Sequence, residues 1–249
     1  MINILLNGCN GKMGQEIVKQ SLKNANTKVV AGIDKTDLGD NKFPVYTNPE
    51  NITENIDVII DFSIPEASMN ILKYAKGKHI PIVIATTGFN EEQINIINET
   101  SKQLPVFKSS NMSLGINLMI KLICEAAKTL ENDYDIEIIE KHHKNKIDAP
   151  SGTALMMANA IKDTLTKDVY YEYNRQAKRE KRNDNEIGIH AIRGGNIVGE
   201  HTVLFAGENE TLEITHNVTS RSIFADGALK ASEFIVSKEN GLYSMNDLV

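Results

Sequence analysis

The chain of 249 residues has only two cysteines, Cys9 and Cys124, too few for a disulfide framework or a four-cysteine zinc site. It lacks an excess of positive charge: its net charge is −6, whereas nucleic-acid-binding proteins usually carry a basic field. No apolar run approaches the ~20 residues of a membrane span, and residues 1–14 do not have the pattern of a signal peptide. We therefore expect a soluble, cytoplasmic enzyme or ligand-binding protein whose partner is neither a nucleic acid nor a membrane.

In the first half of the chain, short and largely β-branched apolar runs alternate with helical patterns. The runs that predict strands are residues 2–6, 29–33, 58–62, 82–85 and 106–107. Such spacing is typical of βαβ units in a parallel sheet. Because the runs are continuous rather than alternating, they indicate strands that are covered on both faces.

The pattern changes after Ser113. Residues 114–130 are apolar nearly all round, which predicts a largely buried helix that joins two domains. Beyond it we expect an alternating strand at 134–141, a helix that begins near Ser151, and a solvated polar loop at 172–186.

Three more strand-like runs follow at residues 187–192, 197–205 and 211–218. They lie close together with no helix between them, so we expect them to pair antiparallel. A final helix at 222–236 resumes the α/β character. The layout predicts a nucleotide-type α/β domain, residues 1–112 and 222–249, interrupted by an open-sheet domain, residues 113–221.

The strongest single motif is Gly8-x-x-Gly11-x-x-Gly14, which follows the first predicted strand and opens a helix. Glycines at such a turn let the backbone approach a pyrophosphate, which then lies at the helix N-terminus. Asp34 ends the second strand region, 20 residues after Gly14, where an acid is expected to bind a ribose hydroxyl. The alternative is a tight strand–helix turn without a ligand.

Three other side chains of this region bear on the cofactor. A carboxylate beside the adenosine ribose favours NAD, while a cation such as Lys12 or Lys35 accepts the 2′-phosphate of NADP. We therefore expect both NADH and NADPH to be used, unless Lys35 is a solvated lysine on a turn. Cys9 is either a thiol whose pKa is lowered by the helix N-terminus or a packed, unreactive one.

Two segments of four residues, here called tetrads, follow the fourth and fifth predicted strands. Because ligands of open α/β sheets lie outside the carboxyl ends of the strands, we expect these residues to line the nicotinamide side of the cofactor site. The alternative is that both segments are ordinary loops that bind no ligand. The tetrads are Ala85, Thr86, Thr87 and Gly88, and Ser109, Ser110, Asn111 and Met112.

The densest cluster of reactive side chains is residues 140–154, EKHHKNKIDAPSGTA. A surface basic patch would explain it; a zinc site is disfavoured because adjacent histidines on a strand point to opposite faces, and we expect no metal. Ser151 is a good N-cap, and a helix start facing a lysine-rich loop suits a carboxylate or phosphate. A histidine there transfers a proton near neutral pH. The combination favours reduction of an acidic unsaturated or imine substrate.

Four segments together resemble the dihydrodipicolinate (4-hydroxy-tetrahydrodipicolinate) reductase family: the loop 8–14, EKHHKNKIDAPSGTA, IVGEHTVLFAGENETLEITH and the ending GLYSMNDLV. The resemblance implies a Rossmann-type domain with an inserted α+β substrate and oligomerisation domain that carries an open mixed sheet. It implies NADH- or NADPH-dependent reduction of (2S,4S)-4-hydroxy-2,3,4,5-tetrahydrodipicolinate, with loss of water, in lysine and diaminopimelate biosynthesis. A small dicarboxylate substrate and a homotetramer are implied as well.

The resemblance also implies roles for individual residues. His142 corresponds to the proton donor and acceptor, and Lys146 to a proton-donating lysine. His143, Gly152 and Thr153 correspond to contacts of a substrate carboxylate. The implied cofactor contacts are Gly8, Cys9, Asn10, Gly11, Lys12, Met13, Asp34, Lys35, Ala85, Thr86, Thr87, Ser109, Ser110, Asn111 and Met112. Of these, Ala85, Met112 and Lys12 replace a glycine, an aromatic residue and an arginine that are common in the family.

Two other functions remain open. One is a dehydrogenase of another small acid or sugar; a substrate panel separates it, because a dicarboxylate site should reject neutral sugars. The other is a dinucleotide-binding sensor without activity, which would bind the cofactor without turnover. The presence of both His142 and Lys146 argues against a sensor.

Overall fold

Two separate sheets organise the chain, which the computed structural model describes over all 249 residues. Unit 1 comprises Met1–Leu114 and Arg221–Val249, and unit 2 comprises Gly115–Ser220. Each unit has a hydrophobic core of its own. None of the helices combines the length and the apolar character that a membrane crossing requires.

The strands and helices follow one another along the chain. They are β1 (Ile2–Asn7), α1 (Lys12–Ser21), β2 (Thr27–Ile33), β3 (Val45–Tyr46), β4 (Val58–Asp61), α2 (Pro65–Lys78), β5 (Ile82–Ile84), α3 (Glu91–Ser101), β6 (Pro105–Lys108), α4 (Leu114–Leu130), β7 (Asp135–His142), α5 (Gly152–Thr164), β8 (Tyr170–Glu172), β9 (Glu186–Arg193), β10 (Gly199–Ala206), β11 (Thr211–Val218), α6 (Ser222–Ile235) and β12 (Gly241–Tyr243). Short 3₁₀ helices occur at Pro49–Asn51, Arg175–Ala177 and Met245–Asp247.

The sheet of unit 1 is entirely parallel, with the strand order β12-β6-β5-β4-β1-β2-β3. Helices cover both faces: Leu6 of β1 packs in a core with α1 and α6, and its neighbour Leu5 packs in a second core with α2 and α3. The predicted parallel sheet is confirmed. The strands β3, of two residues, and β12, of three residues, are not predicted from the sequence.

The sheet of unit 2 is mixed, with the order β11-β10-β7-β9-β8. As expected, β10 and β11 pair antiparallel, but β9 and β10 are not neighbours, because β7 lies between them, parallel to β9 and antiparallel to β10. The expectation that the three late strands pair with one another is therefore wrong in part. The connection at 194–198 crosses the end of β7, where the amide of Gly194 donates to the carbonyl of His142 (2.9 Å). Two strand spacings, about 10 Å, are within the reach of so short a segment.

Helices α4 and α5 both pack on one face of this sheet. The predicted start of α5 is confirmed, with Ser151 as its N-cap. The prediction that α4 is largely buried is wrong: Leu118 and Leu122 are 49% and 50% exposed, on the same side as the exposed Lys121 and Glu125. A helix that lies on a sheet contacts it along one side only, so these apolar residues on the other side of α4 remain half exposed.

The polar stretch 172–186 is irregular, as expected, but it is not simply solvated. Arg182 lies against the sheet face opposite the helices, where it donates to Asp135 (2.5 Å) and to Glu137 (3.0 Å). Other basic residues of the stretch also form ion pairs with nearby acids. The stretch is thus attached to the unit 2 sheet by its charges.

Two helical glycines differ in what an added side chain would meet. A Cβ on Gly14 in α1 would lie 2.2 Å from the carbonyl oxygen of Gly8, whereas a Cβ on Gly77 in α2 would meet nothing within 4 Å. We expect Gly14→Ala to lower the free energy of unfolding by about 1–3 kcal/mol or more, because backbone must move. The control Gly77→Ala should leave it unchanged or raise it by about 0.5–1 kcal/mol. Urea unfolding measures both, and equal effects would contradict the close contact at Gly14.

Candidate functional site

The turn between β1 and α1 is held against the end of β2. The amide of Gly8 donates to the carbonyl of Ile33 (2.9 Å), and the amide of Asn10 donates to Oδ2 of Asp34 (2.8 Å). Gly8 has a φ of +82°, and a Cβ there would lie 2.4 Å from the carbonyl oxygen of Phe62. Only glycine meets both conditions, so the backbone itself fixes the shape of the loop.

Helix α1 begins at Lys12, and its N-cap Gly11 supplies no side-chain hydrogen bond. The first amides of a helix have no acceptor within the helix, so those of Lys12 and Met13 are available to an anion at the positive end of the helix dipole. Gly11 has no side chain to obstruct the approach of a ligand. A pyrophosphate therefore fits the start of α1.

A cavity of about 1120 Å³ lies beside this loop, and its lining comes entirely from unit 1. Asn10 and Gly11 line it from the loop, and Asp34 and Lys35 line it from the turn after β2. The two oxygens of Asp34 accept the amides of Asn10 and Lys35 (2.8 Å each), which fixes the carboxylate and leaves it further lone pairs. The cavity is large enough for the adenosine half of a dinucleotide.

Gly8, also predicted, lines the cavity as well, but much of the remaining lining is not predicted from the sequence. Helix α2 contributes Lys73, Tyr74 and Lys78, and the segment before β4 contributes Glu50. No local motif marks these residues, because α2 reaches the cavity only through the packing of the sheet. Lys12, by contrast, is exposed and does not belong to the lining.

Cys9 is fully buried in the core of unit 1. A Cβ on Gly32 would lie 2.6 Å from its Sγ, so the thiol packs against β2. Burial, together with the charge of Asp34, raises the pKa of Cys9 to about 12. The interpretation of Cys9 as a thiol of lowered pKa is wrong, and the packed thiol is correct. Any contact of Cys9 with a ligand is made by its backbone.

Asp61, a buried residue at the end of β4, accepts hydrogen bonds from the polar residues around it. Asn7 (2.7 Å), Ser63 (2.5 Å) and Thr86 (2.9 Å) donate to it, and so does the hydroxyl of Ser68. Burial raises the pKa of Asp61, and these hydrogen bonds offset part of that shift. Asp61 is not predicted from the sequence, although it ties Thr86 of the first tetrad to the ends of β1 and β4.

The two tetrads lie side by side at the carboxyl ends of β5 and β6. The amide of Ser109 donates to the carbonyl of Ile84 (3.1 Å), and its hydroxyl donates to the carbonyl of Asn111 (2.8 Å). Thr87 and Ser110 are exposed. This arrangement leaves the polar groups of both loops at the sheet edge where ligands of α/β folds bind.

Met112 and Ala85 differ from the other tetrad residues because their side chains are buried in the core of unit 1. A Cβ on Gly227 of α6 would lie 1.7 Å from the carbonyl oxygen of Met112, so the backbone at Met112 packs tightly against α6. Neither side chain lines the polar edge.

In unit 2, His142 lies at the end of β7 on the buried face of the sheet. Its Nδ1 is 2.6 Å from Oε2 of Glu140, a residue with 0% exposure. Because an ionised carboxylate only accepts hydrogen bonds, Nδ1 carries the hydrogen and Nε2 is left to exchange a proton. A Cβ on Gly199 would lie 3.2 Å from Nε2, so the glycine at that position leaves room beside it.

Glu140 is held by donors from three directions. Two guanidinium nitrogens of Arg193 donate to its oxygens (2.7 and 2.8 Å), and the amide of Ser151 donates to Oε1 (3.0 Å). Burial alone would raise the pKa of Glu140, but the hydrogen bonds from Arg193 and His142 outweigh it, and the pKa is lowered. The carboxylate is therefore ionised at neutral pH.

His201 on β10 lies against His142, with the ring centroids 5.2 Å apart and the planes at 73°. Its Nε2 is 2.9 Å from Oγ of Ser151, which also accepts the amide of Ala154 (3.2 Å) and thereby caps α5. Burial, and then the proximity of His142, lowers the pKa of His201 to about 4. His201 is thus a neutral ring that fixes the N-cap of α5.

The remaining predicted residues lie in the loop from β7 to α5 and at the start of α5. Nζ of Lys146 is 2.8 Å from Oδ1 of Asp148, and this hydrogen bond lowers the pKa of Asp148. The amide of Lys146 donates to the carbonyl of His143 (3.1 Å). Gly152 and Thr153 form the first turn of α5, at the positive end of its dipole.

Three of these unit 2 residues, Glu140, Arg193 and His201, have no role predicted from the sequence. A signal existed for Glu140: strand alternation places it on the same face as His142, and a buried carboxylate needs partners. Arg193 and His201 come from strands that are distant from β7 in the sequence. Only the register of the sheet sets Arg193 opposite His142 and His201 opposite Glu140.

Comparison with known proteins matches both parts of the chain. A family model described as Dihydrodipicolinate reductase, N-terminus, matches residues 2–112, and one described as Dihydrodipicolinate reductase, C-terminus, matches residues 115–249. The 4-hydroxy-tetrahydrodipicolinate reductase of Caldanaerobacter subterraneus subsp. tengcongensis is 53% identical over 249 residues, which cover 100% of this chain and 98% of the relative.

Two further relatives agree. The 4-hydroxy-tetrahydrodipicolinate reductase of Clostridium tetani is 48% identical over 246 residues, which cover 99% of this chain and 96% of the relative. The solved structure of dihydrodipicolinate reductase from Paenisporosarcina sp. TG-14, with dipicolinate bound, has a TM-score of 0.85 at 28% identity and covers 100% of both chains.

Proposed function

The chain belongs to the dihydrodipicolinate reductase family, and we propose that it reduces (2S,4S)-4-hydroxy-2,3,4,5-tetrahydrodipicolinate to (S)-2,3,4,5-tetrahydrodipicolinate in lysine and diaminopimelate biosynthesis. One hydride from NADH or NADPH and one proton are consumed, and the substrate hydroxyl leaves as water. The observation that carries the proposal is the buried pair of His142 and Glu140 beside the N-terminal end of α5. We assign proton transfer to His142 of this pair and binding of a substrate carboxylate to the helix end beside it.

Proton transfer is the role of His142. Its Nδ1–H donates to Glu140 (2.6 Å), so Nε2 is the atom that gives a proton to the substrate and later regains one from solvent. Histidine suits this task because its ordinary pKa lies near neutrality. Lys146 lies in the loop from β7 to α5. Its positive charge attracts a substrate carboxylate and assists proton delivery.

Binding of a dicarboxylate is supported by the start of α5. Gly152 and Thr153 form its first turn, where the helix dipole favours a negative group. Asp148 is paired with Lys146, and its side chain is 58% exposed, so a substrate carboxylate can compete with it for the lysine. The relative from Paenisporosarcina sp. TG-14 was solved with a compound of this class, dipicolinate.

Three features of unit 1 fit a dinucleotide: the open start of α1, the cavity beside it and the fixed carboxylate of Asp34. When bound, the reduced nicotinamide supplies the hydride. We propose that both NADH and NADPH serve, because Asp34 suits the ribose diol and its neighbour Lys35, which also lines the cavity, suits a 2′-phosphate.

We further propose a cytoplasmic homotetramer assembled through the unit 2 sheet. Both helices of unit 2 cover one face of the sheet, while the other face has Thr202 paired with Ile139 and Thr215 at its centre. The Thr202 and Thr215 hydroxyls are hydrogen-bonded (3.0 Å). A sheet face that no helix covers favours contact with a second copy of the chain. The cytoplasmic location follows from the biosynthetic role.

The acid–base roles predict two different kinetic signatures. His142→Gln keeps a hydrogen-bonding side chain but cannot exchange the proton, so kcat should fall roughly 10²–10⁴-fold with little change in KM. Lys146→Ala should lower kcat and also raise KM, because a cation that faces an anion is lost in both the ground and transition states. Oxidation of NADH or NADPH with the enzymatically generated substrate measures both.

Neither substitution should alter the affinity for NADH, measured by titration. Near-normal kcat in His142→Gln would contradict its assignment as the proton donor. Absence of turnover by the wild-type protein with both reduced cofactors would overturn the proposed function.

Cofactor choice gives a separate prediction. The wild-type protein should use NADH and NADPH within roughly tenfold, about 1.4 kcal/mol. Lys35→Ala should weaken NADPH selectively, whereas Lys19→Ala, at the far end of α1, should affect neither cofactor. Equal weakening of both cofactors by Lys35→Ala would show that Lys35 does not contact the 2′-phosphate.

A further inference from the structure

Glu140 contacts both functional parts of unit 2 without being one of the proposed reacting groups. Its Oε2 lies 2.6 Å from Nδ1 of His142, and its Oε1 accepts the amide of Ser151 (3.0 Å), the residue that caps α5. It is fully buried, so it touches no solvent. A buried carboxylate is costly unless it is fully paired, and its position between the two parts is therefore informative.

We propose that Glu140 is a positioning residue that couples the proton-transferring histidine to the substrate-binding end of α5. The inference rests on the proposed function, since His142 and α5 are the parts that it couples. Through one oxygen Glu140 sets the orientation and tautomer of the imidazole, and through the other it sets the backbone at which the substrate-binding turn begins. A displacement of either part is thereby transmitted to the other.

The charge of Glu140 matters as well as its shape. A carboxylate beside an imidazole stabilises the positively charged form of the ring, which a neutral group does not. It also fixes the hydrogen on Nδ1, which leaves Nε2 as the reacting nitrogen. A neutral amide in place of the carboxylate would lose the first effect and weaken the second.

Arg193 keeps the carboxylate in place. Its two terminal nitrogens donate to Glu140 (2.7 and 2.8 Å), and one of them also donates to the backbone carbonyl of Asp148 (2.6 Å). The guanidinium thus ties the loop between β7 and α5 to the same carboxylate. This bidentate geometry is the strong form of an ion pair and leaves Glu140 little freedom to move.

The other charged and titratable groups around this pair are few. From β10, His201 faces His142. His216 on β11 is the cross-strand partner of His201. Burial lowers the pKa of both His201 and His216, so both rings are neutral at neutral pH. Lys146 and Asp148 in the loop form an ion pair with each other. His142 and Arg193 are therefore the two side chains in direct contact with the carboxylate of Glu140.

The chain offers a matched control on the same strand. Glu137 of β7 lies on the opposite face of the sheet, where it accepts from Arg182 (3.0 Å) and contacts Nε2 of His190 (2.8 Å). It thus has the same kinds of partner as Glu140, an arginine and a histidine, but no contact with the candidate site. Glu137→Gln should leave kcat, its pH dependence and ligand affinity unchanged.

We expect Glu140→Gln to lower kcat roughly 10²-fold. The loss in kcat should exceed the rise in KM, because an imidazole that is not held with its hydrogen on Nδ1 transfers the proton less well. Affinity for dipicolinate, measured by calorimetry without cofactor or turnover, should fall about tenfold, because Ser151 loses part of its support. Urea unfolding of each variant confirms that it is folded.

Glu140→Asp keeps the charge but not the reach to both partners. Both kcat and dipicolinate affinity should fall several-fold, because the shorter side chain cannot contact His142 and Ser151 at once. This variant also decides the matter if Glu140→Gln does not fold: unchanged kcat and affinity in Glu140→Asp would overturn the proposal.

The proposal is also overturned if Glu140→Gln has the kcat and the dipicolinate affinity of Glu137→Gln. Failure of the proposed function has a different signature, namely a wild-type protein that does not reduce the substrate. In that case the dipicolinate affinities still test the coupling between Glu140 and α5, because they require no reaction.

Discussion

An ionised carboxylate without access to water needs hydrogen-bond donors from the protein itself. Glu140 in unit 2 is such a carboxylate. Its partners come from β7 itself, from β9 and from the start of α5. Removal of Arg193, its charged partner, would leave a buried charge without a counter-ion, at a cost of about 3–5 kcal/mol. The folding of the unit therefore also places His142 beside the helix end that the proposed substrate needs. Stability and chemistry depend on the same hydrogen bonds.

In unit 1, the backbone rather than a side chain fixes the geometry of the candidate site. The amides of Gly8 and Asn10 are used internally, on Ile33 and Asp34, so the amides at the start of α1 are the ones left for an anion. Close contacts at Gly8 and Gly14 exclude any side chain there. A second buried carboxylate, Asp61, fixes Thr86 in the loop after β5. The proposed dinucleotide site is thus shaped mainly by main-chain geometry, whereas the proposed site in unit 2 relies on side chains.

Local patterns in the sequence predict much of this architecture. The apolar runs predict the parallel sheet, the glycine spacing predicts the turn before α1, and Ser151 predicts the start of α5. Long-range register is not accessible in this way: nothing local shows that β7 separates β9 from β10, so the partner Arg193 is missed. Orientation is equally hidden, because the sequence does not show that Cys9 packs against β2 or that Leu122 of α4 faces outward.

The central claim is that the buried carboxylate of Glu140 fixes the ring of His142 with its hydrogen on Nδ1. The nitrogen chemical shifts and long-range proton couplings of the His142 ring, recorded by NMR at about pH 8 on ¹⁵N-labelled, ligand-free protein, test it directly. We predict a protonated Nδ1 and an unprotonated Nε2, with the two assignments less distinct in Glu140→Gln. A neutral ring protonated on Nε2 in the wild-type protein would contradict the account.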